Sequence, residues 1–171
     1  MRRCLVCLPC PHWLRSTLSF YRVSGLTASG RDSMISHMKV LTNEMRGCRK
    51  GPEAWFTGTV WIDEIATGEA PSRLKVNRVS FEPGARTAWH THPVGQALHV
   101  VSGMGRVQLK GHPVQEIRPG DTVWIGAGEV HWHGASPRYT MIHLGMQESD
   151  EHGTDVVWLQ HVTDEEYLPP A

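Results

Sequence analysis

The chain has 171 residues, which is enough for one domain with a full hydrophobic core and short for two. Its 17 Lys and Arg residues balance its 17 Asp and Glu residues, so it has no overall basic field that would attract nucleic acid or an anionic membrane surface. No apolar run approaches the roughly 18–20 residues that a membrane-spanning helix needs. We therefore expect neither nucleic acid nor a membrane among its partners.

Residues 1–37 differ in composition from the rest of the chain. They contain five arginines before the first acid, Asp32, and they lack periodic apolar spacing. An organelle transit peptide has such a composition, but the simpler interpretation is that the coding sequence begins at Met34 or Met38. Residues 1–37 are therefore predicted to be a non-core extension, and residues 38–171 to form one domain.

The cysteines indicate a reducing compartment. Cys4, Cys7 and Cys10 form a C-x-x-C-x-x-C run that could bind a metal, but the fourth cysteine, Cys48, is distant in sequence. Residues 51–171 contain no cysteine. The predicted domain therefore uses no disulfide, and we expect a cytoplasmic protein.

Residues 39–52 are polar and are predicted to form an N-terminal arm. Short segments of β type then follow, with Gly and Pro residues at the corners between them. About ten such strands predict an all-β sandwich or barrel. Near the end of the chain, residues 164–167 are predicted to form one helical turn with Thr163 or Asp164 as its N-cap. The predicted strands are 54–62, 74–81, 87–92, 96–101, 105–109, 114–117, 122–125, 131–134, 139–147 and 156–162.

Two His-x-His pairs suggest a metal centre. Side chains two apart in a strand share a face, so His90 and His92 point the same way, and a Pro-Val-Gly turn brings Gln96 back towards them. His131 and His133 repeat the spacing 35 residues after Gln96. Three imidazoles and an amide oxygen can enclose one divalent cation. The alternatives are that the histidines lie on the surface of the strands and that Gln96 binds a water molecule.

The same residues resemble the cupin family. The stretch Gly84-x5-His90-x-His92-x3-Gln96-x6-Gly103 is similar to the first cupin motif, in which Glu is usual at the position of Gln96. Gly120-x5-Gly126-x-Gly128-x2-His131 is similar to the second motif, although Pro is usual at 126 and Asn at 135. The resemblance implies a cupin double-stranded β-helix, a jelly-roll barrel whose ligands project into its mouth.

Four stretches narrow the resemblance to small bacterial cupins that include the manganese-dependent (R)-selective hydroxynitrile lyases. They are residues 51–60, 81–93, 128–135 and 161–167. The resemblance implies that manganese is the favoured metal, although Fe, Ni, Zn or Co would also suit the ligands. It implies metal ligands at His90, His92, Gln96 and His131, catalytic histidines at His133 and His143, and a substrate pocket lined by Asn77, Val79 and Gln147.

Asn77 lies where those lyases have a smaller residue. This difference affects which substrate the pocket would accept, and not which metal the ligands would bind. The predicted function is a metal-dependent lyase that acts on cyanohydrins or related small carbonyl adducts. The alternatives are a metal-dependent dioxygenase and a non-catalytic module that binds a small molecule. His133 and His143 could also be core histidines that donate to backbone carbonyls.

Outward-facing aromatic residues predict self-association. Trp89, Trp124 and Trp132 alternate away from the ligands, so they are expected to pack between the sheets or between subunits. With the segment around Trp55 and Phe56, they amount to more apolar surface than a small barrel would leave in water. We therefore expect a homodimer or a higher homo-oligomer.

A chain that begins at Met38 should match the full-length chain in metal content and thermal midpoint, because residues 1–37 lack the composition of a core. Elemental analysis and thermal unfolding of the two chains, purified in parallel, check this. A large loss of either quantity in the shorter chain would show that residues 1–37 belong to the folded unit.

Overall fold

The structure is a computed structural model that describes residues 38–168, so the predictions made for residues 1–37 lie outside the described residues. The described part contains thirteen strands, a 3-10 turn at Asn43–Met45 and one helix, α1, at Asp164–Tyr167. The strands are β1 (Cys48–Lys50), β2 (Phe56–Thr57), β3 (Val60–Thr67), β4 (Leu74–Phe81), β5 (Arg86–Thr87), β6 (His90–Thr91), β7 (Gln96–Gly103), β8 (Gly105–Leu109), β9 (Gln115–Ile117), β10 (Thr122–Ile125), β11 (His131–Ala135), β12 (Met141–Glu148) and β13 (Val157–Trp158).

Two antiparallel sheets form the jelly roll. The first sheet has the order β1-β3-β4-β12-β7-β10. The second has the order β13-β6-β11-β5-β2, and β8 and β9 extend it from β11. The predicted all-β cupin fold is therefore confirmed, with sequence-distant strands such as β4 and β12 lying side by side.

The number of strands is thirteen rather than about ten, for local reasons. Gly58, at a φ of +80°, turns the chain between β2 and β3, which were predicted as one strand. Ala88 and Trp89 donate to the carbonyls of Trp55 and Gln160, and this separates β5 from β6. Strand β1 arises in the predicted arm because an edge strand pairs through its backbone and needs no apolar periodicity.

Side chains from the inner faces of both sheets form the hydrophobic core. Alternate residues of β3, β4, β7 and β12 point inwards, as the period of two in a strand requires. The closed end of the barrel is packed by Phe81, Val100 and Met141, which are at most 1% exposed. Gly105 is required there, because a Cβ at this position would overlap the sulfur of Met141. The site described below adjoins this packed group on the open side of the barrel, because Val100 pairs with His143 and the Phe81 ring lies 5.5 Å from that of His143.

A smaller apolar cluster lies outside the barrel interior and contains Trp89 and Trp132, packed with Val162 and Tyr167. These two tryptophans are therefore buried within the chain, neither between the two sheets nor at the surface, so they do not supply the exposed apolar area from which self-association was predicted. Trp124 is 74% exposed on the outer face of the first sheet. Whether that face meets a second subunit stays a prediction.

The C-terminal turn fastens the strands that carry the site. Thr163 is the N-cap of α1, with a capping box to Glu166, which confirms the predicted turn. The Tyr167 hydroxyl donates to the Ala135 carbonyl at 2.7 Å, and the buried Arg86 side chain donates to Asp164 at 2.7 Å. The turn thus ties together β5 and β11. Among the described residues, no helix is long and apolar enough to span a membrane.

Candidate metal centre

Three buried histidines converge at the open end of the barrel. His90 on β6 pairs directly with His131 on β11, and His92 follows β6 on the same face. One ring nitrogen from each of the three lies within 4.8 Å of the others. All three side chains are at most 2% exposed. This group could hold a metal ion, and it contains the three histidines predicted as ligands.

Backbone carbonyls orient each of the three imidazoles. The Nδ1 of His90 lies 2.9 Å from the Ala88 carbonyl, and the Nδ1 of His131 lies 2.9 Å from the Glu129 carbonyl. The Nδ1 of His92 is hydrogen-bonded to the Asp155 carbonyl. A carbonyl can only accept, so each Nδ1 carries the proton and each Nε2 keeps a lone pair. This is the arrangement in which histidines ligate metal ions.

The protonation states of the three histidines are also compatible with a bound cation. Burial lowers the pKa of His131 to about 4, and it lowers the pKa of His92 and, strongly, that of His90. The three rings are therefore neutral at physiological pH, as ligation requires. The buried Nε2 of His92 has no hydrogen-bond partner among the described residues. A cation at the centre would satisfy that atom.

Gln96 supplies the fourth predicted ligand. It begins β7, and its Oε1 lies 3.3 Å from Nε2 of His131. A neutral His131 that donates through Nδ1 presents a lone pair at Nε2, so two acceptors face each other across this gap. A cation that both atoms ligate resolves the repulsion. The Gln96 amide nitrogen donates to Oε1 of Gln147 at 3.4 Å, which directs the amide oxygen towards the histidines.

His133 and His143 form a second imidazole pair beside this group. Their ring centroids are 4.8 Å apart, and the rings are nearly perpendicular. All four ring nitrogens are buried, and none makes a hydrogen bond of good geometry in the described part of the chain. The Leu144 backbone carbonyl lies close enough to His143 to raise its pKa in part, so only His133 lacks a backbone carbonyl beside its ring. Burial lowers the pKa of His143 to about 4, and burial together with the neighbouring His143 lowers the pKa of His133 well below its ordinary value.

A cavity of about 290 Å³ adjoins both groups of histidines. The predicted pocket residues Asn77, Val79 and Gln147 line it on the side of the first sheet. Strand pairing explains their position, because Val79 lies opposite His143 and Asn77 lies opposite Gly145. A Cβ at Gly145 would lie 3.4 Å from the His143 ring and 3.7 Å from the Gln96 amide, so this glycine leaves room between them.

An aromatic wall that the sequence interpretation missed lines the other side of the cavity. Trp158 on β13 pairs with His90, and its ring centroid lies 4.8 Å from that of His90. Trp158 stacks on Trp55 at 5.3 Å, and Phe56 packs edge-on against it. Segment 156–162 was predicted as a strand, but only its pairing with β6 reveals that Trp158 faces the site.

Residues 77–138 match the family described as Cupin domain. The (R)-mandelonitrile lyase of Granulicella tundricola is 54% identical over 118 residues, which are 69% of this chain and 89% of the relative. The crystal structure of a cupin-like protein from Thermotoga maritima is 44% identical, with a TM-score of 0.66 over 71% of this chain and 91% of that one. The polyketide cyclase RemF from Streptomyces resistomycificus, 19% identical with a TM-score of 0.60 over 77% and 91% of the two chains, shares the fold.

Replacing His131 by Ala should weaken metal binding at least about tenfold, because one of the four converging ligands is lost. Elemental analysis of the purified protein and a competition titration with a chelator measure this. His112→Ala is the matched control, since His112 is exposed on a turn. Full metal occupancy in His131→Ala would contradict the ligand set.

His143 should make the protein less stable in acid. Its pKa is about 4 in the folded protein against an ordinary value of 6.5, so below about pH 6.5 the unfolded chain binds more protons. The free energy of unfolding therefore falls between about pH 6.5 and pH 4, and the contribution of His143 at about pH 5 is roughly 2 kcal/mol.

Urea unfolding at about pH 7.5 and pH 5, in excess chelator so that no metal is released, measures this dependence. The difference between the two pH values should be roughly 2 kcal/mol smaller in His143→Gln than in the natural sequence. The exposed His152, changed to Gln, is the control and should leave it unaltered. An equal pH dependence in His143→Gln would mean that His143 titrates normally in the folded protein.

Proposed function

The chain belongs to the cupin family, and from that premise we propose that it is a metal-dependent lyase that cleaves and forms cyanohydrins of small aldehydes. One observation carries the proposal: a group of histidines fit for a metal ion shares its pocket with His133 and His143, two further buried imidazoles that are neutral at physiological pH. The identity of 54% with a protein named (R)-mandelonitrile lyase supports this choice of reaction.

The metal would be a divalent cation, with manganese favoured by the resemblance, held by the histidine group and by Gln96. When bound, it supplies a positive charge that acidifies the substrate hydroxyl and stabilises negative charge on that oxygen. The residues fit this role through their Nε2 lone pairs and the amide oxygen that faces them. None of the four carries a negative charge that would offset the cation.

His143 is the proposed base. Its imidazole is neutral at physiological pH, so a ring nitrogen can accept the hydroxyl proton of the cyanohydrin. As that O–H bond breaks, its electrons form the carbonyl double bond. The bond to the nitrile carbon then breaks, and its electron pair leaves with cyanide. The imidazolium returns the proton to cyanide, so the products are the aldehyde and hydrogen cyanide.

The low pKa of His143 affects both proton transfers, the one from the hydroxyl to the ring and the one from the ring to cyanide. A weak base needs an acidified hydroxyl, and the cation provides that acidity. The same low pKa makes the protonated ring a good acid, which favours transfer of the proton to the departing cyanide. His133 lies close enough that protonation of one ring opposes protonation of the other. The pair therefore holds a single proton at a time, and His133 assists as the second acceptor.

The aromatic wall suits the organic part of such a substrate. Trp55, Phe56 and Trp158 present ring faces and edges to the cavity, opposite the side that carries His143. An aryl group of the aldehyde can pack against these rings and exclude water from the reacting carbon. Val79, adjacent to His143 on the paired strand, extends the apolar surface towards the base.

Manganese-loaded protein should form mandelonitrile from benzaldehyde and cyanide, with the (R) enantiomer in excess. His143→Gln should keep the metal while losing about tenfold to a hundredfold in rate, the lower range for removal of a general base. Chiral chromatography measures the product, and elemental analysis measures the metal. His112→Ala, remote from the site, should retain full rate.

Three outcomes would contradict these assignments. Undiminished turnover by metal-loaded His143→Gln would transfer the role of base to His133. Absence of turnover by the metal-loaded natural sequence would remove the lyase proposal. Consumption of oxygen by iron-loaded protein with an organic substrate would identify a dioxygenase instead.

A further inference from the structure

Strand register brings a cation to the same face of the sheet as the proposed base. Arg49 on β1 pairs with Ile62, Ile62 pairs with Val79, and Val79 pairs with His143. All four residues therefore belong to one row on the inner face of the first sheet, and all four line the cavity. Arg49 lies at the exposed end of this row, on the edge strand, and His143 lies at its other end, on β12 in the middle of the sheet.

The charges around the pocket leave Arg49 unneutralised. Among the described residues that line the cavity, Asp155 is the one acid, and its carboxylate pairs with Lys75 at 3.3 Å. Within the described part of the chain, Arg49 has no carboxylate within 4.0 Å. Glu64, on the neighbouring strand β3, accepts a hydrogen bond from Thr67 instead. With a divalent cation on four neutral ligands, the pocket carries net positive charge and attracts an anion.

The cavity has two chemically different walls, and a simple aryl cyanohydrin uses only one of them. Its ring fits the wall of Trp55, Phe56 and Trp158. The opposite wall carries polar side chains that such a substrate does not contact, namely Lys75, Asn77 and Gln147. Lys75 and Gln147 have partners in Asp155 and Gln96, but each keeps further hydrogen-bonding capacity. A substrate that contacts both walls would carry, besides its reacting hydroxyl, a second polar group that faces the polar wall near Arg49.

We propose that the natural substrate carries a carboxylate, which Arg49 binds at the mouth of the pocket while the reacting hydroxyl lies among the histidines. This rests on the proposed function, since it assumes that the hydroxyl reacts beside His143. Arg49 and His143 are three strands apart, roughly 14 Å between Cα atoms at the usual strand spacing. The carboxylate and the hydroxyl therefore lie at opposite ends of the substrate, as in a para-substituted aryl or an extended aliphatic chain.

A matched pair of ligands tests this without turnover. The probes are 4-(hydroxymethyl)benzoate and its methyl ester, which differ in charge and not in the ring or the hydroxyl. Calorimetric titration of the metal-loaded, full-length protein should show about twofold to fivefold tighter binding of the carboxylate, the range for a solvent-screened ion pair. The preference should shrink as salt is raised, because the pair lies at the pocket mouth.

Arg49→Gln should abolish the preference and leave binding of the ester unchanged. Lys50→Gln is the matched control, because it removes the same charge from the same strand. Lys50 points to the opposite face of the sheet, where its Nζ lies 3.7 Å from Oε1 of Glu53. Equal binding of the two probes by the natural sequence, or a preference that survives in Arg49→Gln, would overturn the proposal.

Turnover separates this proposal from the lyase itself. The cyanohydrin of 4-carboxybenzaldehyde should be cleaved with a kcat/KM about twofold to fivefold higher than that of its methyl ester, and Arg49→Gln should equalise the two. If neither is cleaved but the binding preference persists, the lyase proposal fails and the carboxylate site stands. If Arg49→Gln slows both substrates equally, Arg49 does not discriminate the carboxylate from the ester, and the carboxylate site falls.

Discussion

Three hydrogen bonds from histidine Nδ1 atoms to backbone carbonyls organise this protein. They set the tautomer of each ring, and the rigid barrel behind the carbonyls sets the direction of each lone pair. A freely rotating histidine side chain would lose conformational freedom on binding a metal, whereas these three rings are already ordered by burial. The site therefore depends on the backbone just before β6, β11 and β13 as much as on the histidines themselves.

The hydrogen bond to His92 links this loop to the pocket mouth. Asp155 holds His92 through its backbone carbonyl and Lys75 through its carboxylate. One residue thus connects the metal ligands with a strand of the opposite sheet. On the other side, the C-terminal turn joins β5 and β11 through Arg86 and Tyr167. The strands that carry the ligands are thereby held at both ends, which suits a site that needs positions accurate to a fraction of an ångström.

Local patterns in the sequence predict much of this molecule, and long-range pairing supplies the rest. The period of two in a strand correctly places His90 and His92 on one face, and the capping residues correctly place the last helical turn. Strand β1 carries no apolar signal, because its three residues are all exposed and pair only through their backbone. Trp158, Gly145 and Arg49 reach the cavity through pairings between distant strands, which alternation within one strand does not specify.

Gln96 in place of a carboxylate has a consequence for electron transfer. Removing an electron from a divalent ion raises its charge, and an anionic ligand would stabilise the oxidised state more than a neutral amide does. If Gln96 ligates a transition metal beside the three imidazoles, this neutral set would raise the reduction potential of that metal relative to a set with a carboxylate and would keep it in the divalent state. Such a centre would resist oxidation by dioxygen, which agrees with the proposed acid–base chemistry and not with oxygen activation.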